Sequence, residues 1–218
     1  MTMIHQPTLF DLDETPTEFE REFFPTPPEI AEFAMTCLWR PKTARPLVLD
    51  LGAGNGVWGR AAKAARPDAV VVGVDVVQAS IPDYDFWFAC GIEKFFERIV
   101  TRPVRFDLVC SNPPFSCAVQ FVRIAYELLK PQAISIFFLR QGIKAGRWRC
   151  AHFWPELPPR AETVCARRPS FTGNGRTDPR TDYSLLIWQR DFSGFGTLLP
   201  PFDYGERSTW EWSKLWNY

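Results

Sequence analysis

Leu47-Val-Leu-Asp50-Leu-Gly52-Ala-Gly54-Asn-Gly56-Val-Trp-Gly59 reads as a short apolar strand, a glycine turn and the start of a helix-compatible run from Val57 to Ala65. Glycines at such a turn let the main chain approach a ligand, and a helix N-terminus offers free N–H groups to a carboxylate or phosphate. Next comes Ala69-Val-Val-Val-Gly-Val-Asp75, a buried-strand run ending in an acid. Further strands are expected at 85–89, 106–110 and 133–139, and helices at 29–38, 57–65, 92–100 and 118–129. Strands alternating with helices argue for a parallel sheet covered on both faces. The expected fold is therefore doubly wound α/β, Rossmann-like, with a mostly parallel central sheet.

Gly54, Gly56 and Gly59 satisfy G-x-G-x-x-G, so a dinucleotide site has to be considered. An acid about twenty residues after the turn suits a ribose diol in NAD or in S-adenosylmethionine. The glycine turn does not choose between the two cofactors; a second motif does. Asp107-Leu-Val-Cys-Ser-Asn112-Pro113-Pro114-Phe115 is an apolar strand that stops in Asn-Pro-Pro-aromatic. The lone pair of an aromatic or amide NH2 is delocalised, which makes the nitrogen a poor nucleophile. An asparagine oxygen and a main-chain carbonyl can accept both N–H bonds and draw the nitrogen toward tetrahedral geometry. The two prolines fix φ and bias Asn112 toward an extended conformation, so the acceptors are in place beforehand. Phe115 would stack on the plane carrying the amine. A hydride-transfer enzyme has no use for this arrangement, although Asn-Pro also starts ordinary turns.

With these motifs the chain resembles the class I S-adenosylmethionine-dependent methyltransferases that methylate amino groups, most closely the adenine-N6 DNA methyltransferases. The resemblance covers roughly residues 20 to 190. It implies that Asp50, Gly52, Gly54 and Gly56 form the first cofactor motif, that Asp75 holds the ribose, and that Asn112, Pro113, Pro114 and Phe115 are catalytic. Asp50 would approach the methionine amine; its other role would be to cap the loop amides. Phe24-Pro25-Thr26-Pro27-Pro28 looks like the segment that lines the methionine end, with Thr26 and Pro27 as its contacts. In the Arg167–Tyr183 loop, Phe171 is the candidate second wall of an extruded-base pocket. Stretches 162–166 and 183–189 correspond to the antiparallel strands that close the family's sheet. Where the family usually places an Asp for the cofactor adenine, this chain has Cys90 and Gly91, and that contact stays unassigned.

The 218 residues suit one domain, expected as an acidic lead-in at 1–22, a methyltransferase domain at 23–199 and an aromatic tail at 200–218 packed on it. Residues 1–38 carry eight acids against Arg21 alone, a balance of −7. Residues 139–190 carry nine arginines and Lys144 against four acids, a balance of +6 that offers a basic surface to nucleic acid. No apolar run approaches a membrane span and no signal-peptide pattern opens the chain. Six scattered cysteines and two histidines support neither a zinc site nor a disulfide framework, so no metal and a cytoplasmic setting are expected.

The expected activity is methyl transfer from S-adenosylmethionine to the N6 amine of adenine in nucleic acid, DNA ahead of RNA, with a partner protein for target recognition. RNA methylation at adenine N6 or guanine N2, glutamine methylation of a release factor, and a catalytically silent cofactor-binding subunit are the alternatives.

Overall fold

The computed structural model describes residues 24–79, 81–171, 181–194, 196–199 and 201–202. Their centre is an eight-stranded sheet. In chain order the elements are α1 (Pro28–Phe33), continued by a π-helical turn over Ala34–Leu38, β1 (Leu47–Leu51), α2 (Val57–Ala65), β2 (Val70–Asp75), β3 (Phe86–Ala89) and α3 (Ile92–Ile99). Then come β4 (Phe106–Ser111), a 3-10 turn at Phe115–Cys117, α4 (Ala118–Leu128), β5 (Leu129–Arg140), short turns at Gln141–Lys144 and Arg149–Phe153, β6 (Ala161–Val164), β7 (Tyr183–Gln189) and β8 (Thr197–Leu198). Strand order is β3-β2-β1-β4-β5-β7-β6-β8. The first five strands in this order pair in parallel, while β7 is antiparallel to both β5 and β6. The reversal of winding falls between β1 and β4, which is where an open α/β sheet leaves a crevice at its carboxyl end.

Alternation along the strands builds two apolar layers. Val48 of β1 packs with Trp58, Ala61 and Ala62 of α2, whereas Leu49 and Leu51 pack with Phe121, Val122 and Ala125 of α4. Each such buried Val, Leu or Phe side chain contributes roughly 1.5–3 kcal/mol of transfer free energy. The 24–27 segment is fastened across α2 by Trp58, whose Nε1 donates to Thr26 Oγ1 at 3.2 Å. On the same side Phe202 stacks on Phe33 with centroids 4.4 Å apart.

Two elements differ from the sequence expectation. The first helix is α-helical only to Phe33 before widening into the π turn. Strand β5 starts four residues early, at Leu129, because the Lys130-Pro131-Gln132 insertion is absorbed as an irregularity. Leu129 pairs with Phe106, pairing resumes at Ile134 with Leu108, and Gln132 takes φ 62°. The acidic lead-in at 1–22, loop residues 172–180 and the tail aromatics Trp210, Trp212, Trp216 and Tyr218 lie outside the described residues.

Candidate active site

The crevice predicted by the winding reversal is a cavity of about 460 Å³ above the ends of β1, β2 and β4. Its floor is the glycine turn. Gly52, Gly54 and Gly56 adopt φ of 75°, 53° and 78°, a left-handed path that any other residue would follow only under strain. The turn satisfies its own amides. Gly52 and Ala53 N–H donate to Val74 O at 2.8 and 3.0 Å, and Gly56 N–H donates to Ala53 O at 2.8 Å. Gly54 N–H donates to Asp75 Oδ2 at 2.8 Å. Four amides of the loop are thus engaged within the protein.

Asp75 ends β2 at the cavity wall. Its second oxygen accepts Val77 N–H at 3.0 Å. Both oxygens are thereby oriented, and each keeps a lone pair for a ligand hydroxyl. Val76, Cys90, Gly91 and Ile92 line the adjoining wall. Glu93 stands beside them.

Thr26 lines the cavity with Phe24 and Pro25, whereas Pro27 is buried outside it, capping α1 and accepting Ile30 N–H at 3.1 Å. Gly56 also lies outside the lining and serves the turn. Asp50, expected at the cofactor, is absent from the cavity lining as well. Its place in β1 turns it with Val48 toward α2, where it is fully buried and accepts a hydrogen bond from Tyr84 Oη. Burial pushes its carboxyl up from 3.8 to about 7, against the opposing hydrogen bonds from Tyr84 and the Gly59 main chain. Tyr84 Oη in turn accepts Gly59 N–H at 3.1 Å. A Cβ on Gly59 would lie 2.2 Å from the Tyr84 ring, so this glycine makes room for the tyrosine. Nothing in the sequence near Tyr84 signals the contact.

Asn112 follows β4 and lines the cavity. Its Nδ2 donates to Phe24 O at 2.7 Å, which fixes the amide's rotation and leaves Oδ1 as the acceptor. Pro114 lines the cavity while Pro113 is buried behind it. Phe115 and Phe171 do not line this cavity. They meet above it, each against Phe24, with centroids at 5.9 and 5.3 Å, and each near Tyr183. The Arg140 guanidinium lies over Phe115, 3.6 Å from its centroid. Phe115 and Phe171, expected as base-pocket walls, thus both pack on Phe24, which the sequence placed only in the methionine-end segment, and on Tyr183, while Arg140 was not expected there. A Phe before the Pro-rich segment and an Arg ending a strand carry no local signal of that role.

The fold is the Rossmann-like α/β fold of methyltransferases, closed by antiparallel strands. Residues 32–136 match the methyltransferase small domain. No curated protein matches the chain in sequence. Among solved structures, it is similar to a type I restriction-modification system methyltransferase subunit from Streptococcus thermophilus, with TM-score 0.61, 17% identity, and 78% of this chain against 45% of that one covered. A structure from Listeria monocytogenes described as a class I S-adenosylmethionine-dependent methyltransferase gives TM-score 0.60 at 12% identity, over 83% of this chain and 67% of that one. A predicted O-methyltransferase from Agrobacterium tumefaciens gives 0.59 at 17% identity, over 86% and 95%. The chain spans less than half the length of the Streptococcus protein.

Proposed function

We propose that this protein transfers a methyl group from S-adenosylmethionine to the N6 amine of adenine in DNA. The observation that carries the proposal is the Asn112 amide. With its NH2 committed to Phe24 O, Oδ1 is the group turned to an incoming amine at the head of the cavity. An acceptor oriented in advance costs no reorganisation during reaction. Pro113 O is the second acceptor that the same motif would offer, and Phe115 with Phe24 and Phe171 would flank the base.

The residues present suit S-adenosylmethionine better than a dinucleotide. The Asn112–Phe115 motif at the head of the cavity serves methyl transfer to an amine and has no use in hydride transfer, while Asp75 keeps lone pairs for the ribose diol. Thr26 and Phe24 would border the methionine end, and Val76 and Ile92 the adenine. When bound, this cofactor supplies an electrophilic methyl group on a sulfonium. An amine held by Asn112 Oδ1 and Pro113 O would take that methyl, the S–C electron pair leaving with sulfur and the amine proton passing afterwards to water. No strong general base is needed, because the proton can leave after transfer.

Restriction-modification similarity and the basic 139–190 region support nucleic acid as substrate, with DNA preferred to RNA and a partner protein aiding target choice. Among the described residues no helix is long and apolar enough to cross a membrane, and no cluster of three metal-ligating side chains occurs.

The test is mass spectrometry of nucleosides after DNA and RNA are incubated with labelled cofactor. N6-methyladenine in DNA is expected from the parent. In single turnover, Asn112→Ala should cost roughly 2.7–4 kcal/mol of transition-state stabilisation with cofactor affinity nearly intact. A folded Asn112→Ala enzyme working at the parent rate would reduce the motif to a turn, and label appearing only in RNA or protein would remove the DNA assignment.

A further inference from the structure

Beside the acceptor motif lies a second cavity of about 310 Å³, lined by Phe115, Ser116, Leu139, Ile143, Arg140 and Arg149 among others. Ser116 also lines the cofactor cavity, so only the Phe115–Cys117 turn separates the two. Arg140 ends β5 and gives its Nε–H to Tyr183 Oη at 3.0 Å. Arg149 gives its Nε–H to Ala145 O at 2.7 Å. Both side chains are thus anchored through Nε to neutral oxygens, and among the described residues neither has a carboxylate partner. Two neighbouring cations are neutralised instead: Lys144 pairs with Glu162 at 2.8 Å, and Arg168 pairs with Asp182 at 2.9 Å. Two guanidiniums held at one cavity without a counter-charge repel each other and favour an anion between them.

We propose that this cavity is a phosphodiester subsite, in which Arg140 and Arg149 hold the strand phosphate next to the target nucleotide. The inference rests on the nucleic-acid reading above and adds the place where the backbone is gripped. Guanidinium forks match phosphate oxygens in pairs. The neighbouring surface fits a strand better than an acidic peptide. Arg147 and Trp148 are exposed on the same segment, with Trp148 56% accessible. An exposed indole beside phosphate-binding arginines supplies a stacking face for the adjoining base, which is how single strands are gripped without sequence readout. Anchoring the phosphate one turn from Phe115 would limit the reach of the target base to the head of the cofactor cavity.

The experiment is fluorescence anisotropy with a labelled adenine-containing single-stranded oligodeoxynucleotide over a salt series, with thermal melting to verify folding. Arg149→Gln should weaken binding about tenfold at moderate salt. It should also flatten the log–log salt dependence by about 0.7, the share of one phosphate contact on a single strand. Arg149→Lys should keep the parent slope, because the charge remains. Trp148→Ala should lower affinity with the slope unchanged, because it removes stacking and no charge. A folded Arg149→Gln protein with parent affinity and slope would overturn the subsite, as would a parent that binds an acidic peptide in preference to the oligonucleotide. Parent methyl transfer is measured alongside. An active parent with an indifferent Arg149 loses the subsite alone, and a parent that binds through Arg149 without transferring methyl loses the function alone. A parent that neither binds nor methylates nucleic acid loses both.

Discussion

Asp50→Asn should change how stability depends on pH, by an amount fixed by where the strand buries the carboxyl. Burial raises Asp50 from an ordinary 3.8 to about 7, more than the hydrogen bonds from Tyr84 and the Gly59 main chain pull it down, with Asp75 adding repulsion. The sign follows from counting protons. Between those two values the native state holds a proton that the unfolded chain has released, so stability falls as pH rises through the window and is flat above it. A shift of about three units corresponds to about 4 kcal/mol over the whole window, of which about 3 kcal/mol falls between pH 5 and pH 9. Asparagine does not titrate, yet its oxygen still accepts from Tyr84 Oη. Asp50 Oδ1 has no hydrogen-bond partner, so an NH2 placed there carries a pH-independent penalty of roughly 1–3 kcal/mol. The sign of the difference at one pH is therefore uninformative, and its slope is diagnostic. Urea denaturation of parent and variant at pH 5, 7 and 9 should show the variant gaining about 3 kcal/mol on the parent across the range. Parallel curves would mean that Asp50 is already ionised and solvated in the native state, and the buried Asp50–Tyr84 contact would be wrong.

Asp75→Ala should weaken S-adenosylmethionine binding by roughly 1.5–3 kcal/mol, the value of a hydrogen bond to a charged group; unchanged affinity by calorimetry in a folded variant would take Asp75 out of the site. Thermal shift should show stabilisation by S-adenosylhomocysteine and not by NAD, and the reverse result would overturn the cofactor assignment. Gly59→Ala should destabilise by roughly 1–3 kcal/mol, because the added methyl overlaps Tyr84. In a double-mutant cycle Tyr84→Ala should remove most of that cost, and additive effects would show that the two residues do not touch.

The parallel half of the fold was legible because its signals are local. Each of the strands at 47–51 and 70–75 is an apolar run bounded by turn residues, and the 57–65 helix follows a glycine turn that dictates its start. Asp75 was legible for the same reason: a carboxylate ending a buried strand needs a partner, and it found one in the Gly54 amide. Asp50 misled because its position one step before the turn looks equivalent. Strand alternation decides otherwise, since residues 48 and 50 share a face and that face packs on α2 rather than opening on the crevice. Phe24, Tyr84 and Arg140 act through partners 88, 34 and 43 residues away, and no spacing rule reaches that far.

The third glycine of G-x-G-x-x-G shows why the cofactor ambiguity could not be resolved from spacing. In a dinucleotide fold that position serves close packing of helix on strand, and in this protein Gly59 serves a close approach too, but of Tyr84 arriving from the loop before β3. The same residue pattern therefore satisfies a different constraint. Tyr84 fills the space under α2, accepts the Gly59 amide and donates to Asp50, tying the start of the helix to β1 below the turn. With the first turn of α2 held from beneath and the loop amides spent on Val74, Ala53 and Asp75, the glycine motif works mainly as a shaped floor. Under the proposed function, recognition of the ligand would then fall to groups around the rim, chiefly Asp75 and the Asn112 motif. That division of labour suits a cofactor that carries a ribose diol and a sulfonium methyl.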